Sequence, residues 1–183
     1  MSKGKINLMI GPMFSQKTSS LISKYDRYEI GGKKCIMIKN KLDMRYNTEK
    51  DKDVLITHNG IKIKAKVCKK LEEIDEKIKE YDVICIDEIQ FYEDAVKYCE
   101  KWANEGKIVE VCGLSGTSER TAFKIISELI PRVENIEHKK AICRNNGEEA
   151  SFTRIKKEIK KEKEIEIGGN EKYEAVDREN YYK

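Results

Sequence analysis

The sequence predicts an α/β fold in which a parallel sheet is flanked by helices, and three observations support that prediction. Short apolar runs typical of buried strands recur along the chain, helix-type stretches separate them, and glycine-rich or acidic residues follow several of them. The main runs are Ile6–Ile10, Cys35–Ile38, Val83–Ile86 and Ile108–Cys112. Because strands and helices alternate, we expect a parallel sheet that is covered on both faces.

The first run leads directly into a candidate phosphate-binding loop. A strand, a turn and then a helix opening at Lys17-Thr18 is the layout of a P-loop, which predicts a P-loop NTPase-like sheet. In such a loop, backbone N–H groups and the helix dipole face an anion, the lysine reaches the outer phosphates and the hydroxyl ligates Mg²⁺. The candidate ATP-binding residues here are Gly11, Pro12, Met13, Phe14, Ser15, Gln16, Lys17 and Thr18.

One position of this loop departs from the motif G-x-x-x-x-G-K-[ST]. Gln16 stands where the second glycine is expected. Glycine lets the backbone approach a phosphate without an intervening Cβ, so we expect Gln16 to crowd the site or distort the loop. On the loop alone, a plain strand–turn–helix without nucleotide chemistry stays an open alternative.

Two carboxylates strengthen the nucleotide interpretation. Val83–Ile86 is followed at once by Asp87-Glu88, so a buried strand would deliver both acids to its carboxyl end, where α/β sheets bind ligands. Asp87 is suited to hold Mg²⁺, and Glu88 is suited to accept a proton from an attacking hydroxyl. The alternative is that two acids simply end a core strand at the surface.

Composition sets broader limits. At 183 residues the chain suffices for one packed domain with a small appendage. Its 37 basic and 33 acidic residues give a net charge of +4, which does not by itself indicate nucleic-acid or membrane binding. We find no signal peptide or apolar stretch of membrane-spanning length and expect a cytoplasmic protein. The six cysteines form no CxxC pair, and Cys35, Cys85 and Cys112 are typical small core residues.

The first half of the chain continues with a helix, a loop and a hairpin. The helix after the P-loop is expected to end at Gly31-Gly32, and the polar stretch Lys39–Lys52 predicts a loop. Val54–Thr57 and Ile61–Val67 flank an Asn-Gly turn, which favours a hairpin. His58 precedes that turn and is interpreted as a turn residue in preference to a catalyst.

The second half supplies three more helices and a glycine-rich turn. Leu71–Tyr81 predicts an amphipathic helix, and a second helix is expected over Ala95–Ala103. Gly113–Thr117 is a glycine-rich turn on the same rim as the P-loop. Phe123–Ile130 predicts a helix that stops near Pro131.

From residue 140 the character of the chain changes. We predict a P-loop α/β domain over residues 1–139 and a small β-rich domain over residues 140–183. The predicted short strands of this second domain are Ala141–Cys143, Ala150–Arg154, Ile165–Ile167 and Tyr173–Val176.

With these motifs in order, the chain resembles the type II thymidine kinases, the cellular and poxvirus-like family, from end to end. Beyond the P-loop and acids, the resemblance rests on ordered short motifs. These are Asp43-x-Arg45-Tyr46, Asp87-Glu88-x-Gln90-Phe91, Ala103-Asn104-Glu105-Gly106-Lys107, Gly113-Leu114-x-Gly116-Thr117, Ala150-Ser151-Phe152-Thr153 and Ile167-Gly168-Gly169-x-x-Lys172-Tyr173.

The resemblance implies transfer of the γ-phosphoryl group of ATP to the 5′-hydroxyl of thymidine with Mg²⁺. It also implies a zinc-bearing C-terminal domain with a lasso loop (residues 164–168) over the base, and a homotetramer with no nucleic-acid or membrane partner. By this resemblance Glu88 is the general base, Thr18 and Asp87 hold Mg²⁺, and Asp43, Arg45, Asp87 and Gln90 join the ATP-binding set. The implied nucleoside-binding residues are Met13, Phe91, Ser118, Phe123, Thr153, Glu164, Ile165, Glu166, Ile167, Gly168 and Tyr173.

The chain departs from the family at the zinc site. Of the four ligand positions only Cys143 keeps a cysteine, and Asn146, Asp177 and Asn180 occupy the others. We therefore expect no tightly held tetrahedral zinc. The base of the lasso would then depend on packing or local hydrogen bonds, or would be looser.

Smaller departures lie elsewhere, and two functions stay open. Ser115 and Ser118 stand where the family has Asp and usually Phe, and Lys139-Lys140 stands where apolar or hydroxyl residues are usual. The first function is an active deoxynucleoside kinase, which the intact Lys17, Thr18 and carboxylate pair favour. The alternative, which Gln16 favours, is a kinase-derived protein that binds nucleotide or a partner with impaired catalysis. A helicase-type ATPase is not expected, because the chain shows no second ATPase domain and no basic nucleic-acid track.

Overall fold

The structure is a computed structural model that describes residues 3–42, 53–56, 60–159 and 168–183. Twelve strands lie within these residues. In chain order they are β1 (Lys5–Gly11), β2 (Cys35–Asn40), β3 (Val54–Ile56), β4 (Lys62–Lys64), β5 (Lys66–Cys68), β6 (Val83–Ile86), β7 (Ile108–Leu114), β8 (Asn135–His138), β9 (Ala141–Ile142), β10 (Glu149–Ala150), β11 (Phe152–Ile155) and β12 (Tyr173–Val176). The helices of the same residues are α1 (Lys17–Ile30), α2 (Asp75–Ile78), α3 (Ala95–Asn104), α4 (Lys124–Leu129) and α5 (Arg178–Tyr182).

Six strands form the central sheet, in the order β5-β2-β6-β7-β1-β8. Every neighbouring pair in it is parallel. Helices α3 and α4 pack on one face, and α1 packs on the other. The parallel α/β sheet predicted from the alternating apolar runs is thus confirmed.

The central strands are apolar on both faces because helices cover both. All four residues of β6 are fully buried, and they alternate between the two core clusters. Burying one such aliphatic side chain contributes about 1.5–3 kcal/mol to the free energy of folding. The position of Asp87 and Glu88 directly after β6 is therefore fixed by the best-packed strand of the sheet.

The helix predicted over Leu71–Tyr81 is shorter than expected. A 3₁₀ turn covers Leu71–Ile74, and α2 adds one α-helical turn after it. Leu71, Ile74 and Ile78 are nevertheless buried, and Tyr81 is partly buried. The Asp75 carboxylate accepts a hydrogen bond from the indole Nε1 of the buried Trp102 at 2.8 Å and another from Lys101 Nζ.

Two features of the sheet were not predicted. Strand β8 pairs with β1, but its residues are exposed and its one apolar side chain, Ile136, is 48% exposed. An exposed edge strand leaves no apolar run to detect. Lys39 and Asn40 belong to β2 and not to the expected loop, because both side chains are buried and hydrogen-bonded to Val54 O and Phe91 O.

Two small hairpins follow the sheet. Strands β9 and β10 form one antiparallel pair, and β11 and β12 form the other. Their buried residues make a third small cluster, against which Phe14 of the P-loop region packs. The β-rich character predicted after residue 140 is confirmed, while the division into two domains stays a prediction. His58 and the strand expected over Ile165–Ile167 lie outside the described residues.

Candidate functional site

The loop between β1 and α1 is closed tightly on itself. Ser15 Oγ donates a hydrogen bond to Pro12 O at 2.8 Å. A Cβ added at Gly11 would lie 2.6 Å from Lys139 O and 2.8 Å from Ser15 Oγ, so no other residue fits there. The glycine that opens the motif is therefore required by close approach of the chain after β8.

Gln16 has a left-handed backbone with φ 59°, and Phe14 nearby has φ 65°. A residue with a side chain is disfavoured in this conformation by about 1–2 kcal/mol, whereas glycine adopts it readily. The side chain of Gln16 is exposed to solvent. A glycine at position 16 would therefore relieve backbone strain in the loop, and it would not relieve crowding by the side chain.

The ammonium group of Lys17 lies across the loop. Its Nζ donates to Pro12 O at 2.6 Å and lies 3.3 Å from Ser15 Oγ, and the residue is only 7% exposed. The lysine thus sits at the start of a 14-residue helix, where backbone N–H groups and the helix dipole add to its positive field. This end of α1 is suited to bind an anion.

Thr18 and Asp87 meet beside that loop. Thr18 Oγ1 donates to Asp87 Oδ2 at 3.1 Å, and Asp87 is 2% exposed. The thiol of Cys112, on β7, donates to Asp87 Oδ1 at 2.9 Å. Burial raises the pKa of Cys112, and the charge of Asp87 raises it further, so Cys112 stays a neutral donor. The structure thus brings together the two residues predicted to hold Mg²⁺.

Glu88 is held in a strained position at the end of β6. Its backbone is left-handed with φ 50°, and the residue is 6% exposed. Such conformations in non-glycine residues cost about 1–3 kcal/mol and cluster at functional sites. The chain therefore turns sharply here and presents the Glu88 side chain at the edge of the sheet next to Asp87.

Gln90 connects this carboxylate to the neighbouring strand. Its Nε2 donates to Glu88 Oε2 at 2.6 Å, and its Oε1 accepts from Leu114 N–H at 3.2 Å. A Cβ added at Gly113 would lie 2.5 Å from Gln90 Oε1, so this glycine makes room for the amide. The sequence placed Gln90 among ATP-binding residues, and its contact with Glu88 was not foreseen.

The C-terminal hairpin reaches the phosphate loop. Thr153 Oγ1, on β11, accepts a hydrogen bond from Met13 N–H at 2.9 Å, and both residues are buried. Tyr173, on β12, is also buried, and desolvation raises the pKa of its hydroxyl. Three residues that the resemblance assigns to the nucleoside thus lie in the phosphate loop (Met13) and in the C-terminal hairpin (Thr153 and Tyr173). A hydrogen bond joins Met13 to Thr153.

The remaining candidate nucleoside residues lie in two other places. Phe91 follows Gln90 and is partly buried, and Phe123 packs at the margin of the larger core cluster. Ser118 O accepts a hydrogen bond from Tyr181 OH at 2.7 Å. Gly168 is partly buried next to Lys172. The remaining candidates lie outside the described residues: Asp43, Arg45, Glu164, Ile165, Glu166 and Ile167.

Sequence analysis did not identify the aromatic cluster around Tyr181. The Tyr181 ring lies 5.9 Å from that of Phe152, and the guanidinium of Arg120 lies 4.4 Å from the Tyr181 ring. Arg120 has a left-handed backbone with φ 61°. A basic residue in a turn and aromatic residues near the terminus gave no recognisable motif, so only the fold brings them together.

The oxygen donors of Thr18 and Asp87 fit Mg²⁺, which takes one or two protein oxygens and completes its shell with phosphates and water. No group of three or more His, Cys, Asp or Glu side chains suited to hold a metal occurs in the described part of the chain. At the family's zinc positions, hydrogen bonds from the Asn180 backbone and then from the Asn146 and Asn180 side chains lower the pKa of Asp177 to about 2. Among residues with described placement, no helix is both long and apolar enough to cross a membrane.

Comparison with known proteins gives a consistent result. The family model described as thymidine kinase matches residues 4–181. Thymidine kinase 1 of Dictyostelium discoideum is 41% identical over 179 residues, which cover 97% of this chain and 78% of that protein. The thymidine kinases of vaccinia virus strains Tian Tan and Western Reserve are each 44% identical over 182 residues, which cover 99% of this chain and 98% of the viral proteins.

Proposed function

The chain belongs to the thymidine kinase family, and from this premise we propose that it transfers the γ-phosphoryl group of ATP to the 5′-hydroxyl of thymidine. The observation that carries the proposal is the meeting of three functional groups at one edge of the sheet. Thr18 contacts Asp87, and Glu88 follows Asp87 with its carboxylate held by Gln90. Each group matches a separate requirement of phosphoryl transfer.

The phosphates of ATP would lie over the Gly11–Thr18 loop. Its backbone N–H groups and the start of α1 supply fixed positive dipoles, and Lys17 supplies a charge. The Lys17 ammonium already lies inside the loop, with its Nζ 2.6 Å from Pro12 O. A short movement of this flexible side chain would exchange that carbonyl for a phosphate oxygen.

Thr18 and Asp87 would hold Mg²⁺ on the phosphates. When bound, the ion neutralises negative charge on the β- and γ-phosphate oxygens. The protein's part is to keep two oxygen donors together. The Cys112 thiol helps to orient the Asp87 carboxylate by donating to its Oδ1, while Thr18 Oγ1 contacts both carboxylate oxygens.

Glu88 would act as the general base. The 5′-oxygen of the nucleoside attacks the γ-phosphorus, the bond from phosphorus to the ADP oxygen breaks, and the hydroxyl proton passes to a Glu88 oxygen. The Gln90 amide holds Oε2, so the carboxylate is oriented before substrate arrives. Because the base is already oriented, less entropy is lost on reaching the transition state, and the activation free energy is lower.

The nucleoside would lie between the phosphate loop and the C-terminal hairpins. The proposed pocket combines Met13, Phe91, Ser118, Phe123, Thr153 and Tyr173 with backbone groups of residues 164–168. Aromatic faces and buried hydroxyls suit a flat neutral pyrimidine. The bond from Met13 N–H to Thr153 Oγ1 supports this assignment, because it ties the two walls together.

We further infer a homotetramer and a division of the chain near residue 140, as the resemblance implies. The exposed strand β8 lies at the edge of the sheet, and an exposed strand edge is a surface that a second copy can pair with or cover. Light scattering of the purified protein measures the assembly directly. A cytoplasmic location stays a prediction.

The test is turnover by the purified protein with ATP, Mg²⁺ and thymidine, with thymidine monophosphate as the expected product. Glu88→Gln should lower kcat by a factor of about 10²–10⁴, because the amide cannot accept the proton. Glu93→Gln is the matched control, since Glu93 is exposed and close in sequence. Nucleotide binding without product at any protein concentration would instead favour the catalytically impaired alternative.

A further inference from the structure

Four side chains converge where the tip of the β9–β10 hairpin meets the start of α5. Cys143 and Asn146 come from the hairpin tip, and Asp177 and Asn180 come from the junction of β12 and α5. These are the positions at which the family resemblance places zinc ligands. In this chain Asn146 and Asn180 both donate hydrogen bonds to the carboxylate of Asp177, which lies at the centre.

The Asp177 carboxylate accepts four hydrogen bonds from these neighbours. Its Oδ1 accepts from Asn180 N–H at 2.7 Å and from Asn180 Nδ2 at 3.1 Å. Its Oδ2 accepts from Asn180 Nδ2 at 3.0 Å and from Asn146 Nδ2 at 2.5 Å. The buried Cys143 thiol also lowers the pKa of Asp177.

This arrangement does not suit zinc. Structural zinc takes four strong donors, mostly thiolates and imidazoles, and here a single cysteine is present with two neutral amides. Asn146 directs its amide nitrogen at Asp177, while its Oδ1 accepts from Glu148 N–H at 3.2 Å. An amide nitrogen carries no lone pair for a metal, and both oxygens of Asp177 are already used.

We propose that the Asp177 carboxylate fastens the hairpin tip to α5 in place of a metal ion, so that the C-terminal part of the chain holds together without zinc. The Asp177 carboxylate takes the structural role that the family resemblance assigns to the zinc ion, but its charge is negative where that of zinc is positive. N–H donors point inward at a negative centre, whereas metal ligands point their lone pairs at a positive one. Hydrogen bonds to a charged acceptor are about twice as strong as neutral ones, so the bonds to Asp177 are suited to holding the hairpin tip on α5.

Helix α5 connects the hydrogen bonds at Asp177 to the candidate nucleoside pocket. Asp177 is the N-cap of this helix, and the guanidinium of Arg154 donates to the carbonyl of Asn180 in its middle. Tyr181 then reaches from α5 to Ser118 O at 2.7 Å. The position of the turn that carries Ser118 therefore depends on a helix whose N-cap, Asp177, also holds the hairpin tip.

A matched pair of adjacent asparagines tests the proposal. Asn146→Ala removes the bond across the junction, whereas Asn145→Ala removes only a marginal contact with Asn180 at 3.5 Å. We expect amide hydrogen exchange in the peptides covering 141–155 and 173–182 to become about tenfold faster in Asn146→Ala and faster still in Asp177→Ala. Exchange in β1 should not change, and Asn145→Ala should match the wild type.

Unchanged exchange in both Asn146→Ala and Asp177→Ala would overturn the proposal. A second arm uses the metal itself. The wild-type protein should contain no stoichiometric zinc by plasma spectrometry, and its exchange should be the same with EDTA as with added zinc chloride. A full equivalent of zinc, whose removal speeds exchange at these peptides, would also overturn it.

A third arm restores the metal site. The triple variant Asn146→Cys, Asp177→Cys, Asn180→Cys, together with Cys143, should bind cobalt(II) and show a thiolate-to-cobalt charge-transfer band that the wild type lacks. A folded triple variant that binds no cobalt would contradict the convergence of the four positions. If this variant does not fold, the comparison of Asn146→Ala with Asn145→Ala by hydrogen exchange still tests the proposal. None of these readouts needs turnover, so they succeed or fail independently of the proposed activity.

Discussion

Gln90 donates a hydrogen bond to Glu88 Oε2 over 2.6 Å, although the two residues are only two positions apart in the chain. The left-handed backbone of Glu88 makes this short-range contact possible, because it turns the chain back on itself after β6. The other end of the Gln90 amide is bonded to Leu114 N–H on β7. The proposed base is thus positioned by a group that is itself fixed by a second strand.

Replacing Gln90 by glutamate should move the pH profile of the enzyme. A second carboxylate next to Glu88 disfavours ionisation of the pair and so raises the pKa at which the base loses its proton. A general base acts when deprotonated, so the acidic limb of the kcat profile should shift to higher pH. We expect a shift of about one pH unit and a lower kcat at neutral pH.

Gln90→Leu separates positioning from charge. It removes the amide without adding a charge, so kcat should fall by about tenfold, with a smaller change in the KM for ATP and a smaller shift of the acidic limb than in Gln90→Glu. Glu93→Gln again serves as the control. If the acidic limb of Gln90→Glu matches that of the wild type and the kcat of Gln90→Leu is unchanged, Gln90 does not act on the base.

Replacing Gln16 by glycine should stabilise the phosphate loop. Glycine adopts the left-handed conformation at this position without the cost borne by glutamine. We expect the free energy of unfolding to rise by up to about 1 kcal/mol and ATP to bind more tightly, as measured by urea denaturation and calorimetry. Gln16→Ala keeps the backbone cost and should behave like the wild type; equal effects of both substitutions would show that the side chain matters instead.

Asp75 should stabilise the protein at neutral pH and not in acid. Desolvation raises the pKa of Asp75, but hydrogen bonds from Lys101 and Trp102 outweigh it, so the pKa lies below its ordinary value. A lowered pKa means that the contribution is full above the unfolded-state pKa of about 3.9 and is lost as the pH falls through the folded-state value. Asp75→Asn should therefore cost about 1 kcal/mol at neutral pH and less at about pH 3, where part of the contribution is lost.

The single tryptophan reports this change directly, because Trp102 Nε1 donates to Asp75 Oδ1. Urea denaturation followed by Trp102 fluorescence at the two pH values gives the comparison. Asp26→Asn, on the exposed face of α1, is the control. A destabilisation by Asp75→Asn that is equally large in acid would exclude the charge as its source.

The thiols of the native protein should resist modification. All six cysteines are buried, and burial raises the pKa of Cys35 and Cys68 to about 11 and that of Cys85, Cys99 and Cys112 as well. The thiolate is the reactive form, and raised pKa values keep it scarce at pH 8. An aromatic disulfide reagent should react with all six thiols in guanidinium and with essentially none before unfolding. Prompt reaction of one thiol in the native protein would contradict this.

The sheet could be predicted from the sequence where both of its faces are covered. Strand β6 is an unbroken apolar run because helices pack on each side of it. Strand β8 escaped notice for the opposite reason, since its residues face solvent and its pairing with β1 leaves no apolar signature. Sequence pattern detects burial, and it detects pairing only where pairing and burial coincide.

The candidate site was predictable as a set of residues and less so as a set of contacts. Thr18 and Asp87 carry motif signatures, and the structure brings them together as expected. The contact of Gln90 with Glu88 depends on a backbone angle that no local pattern announces. Likewise, the convergence of Asn146 on Asp177 spans 31 positions and uses residue types that are common in any surface loop.

The hydrogen bond from Met13 N–H to Thr153 Oγ1 joins residues 140 positions apart. Along the chain, Met13 precedes every strand of the central sheet except β1, and Thr153 follows all of them. During synthesis, the loop after β1 therefore lacks this partner while β2 to β8 are being made. A chain truncated before residue 153 would lack the hydrogen bond altogether.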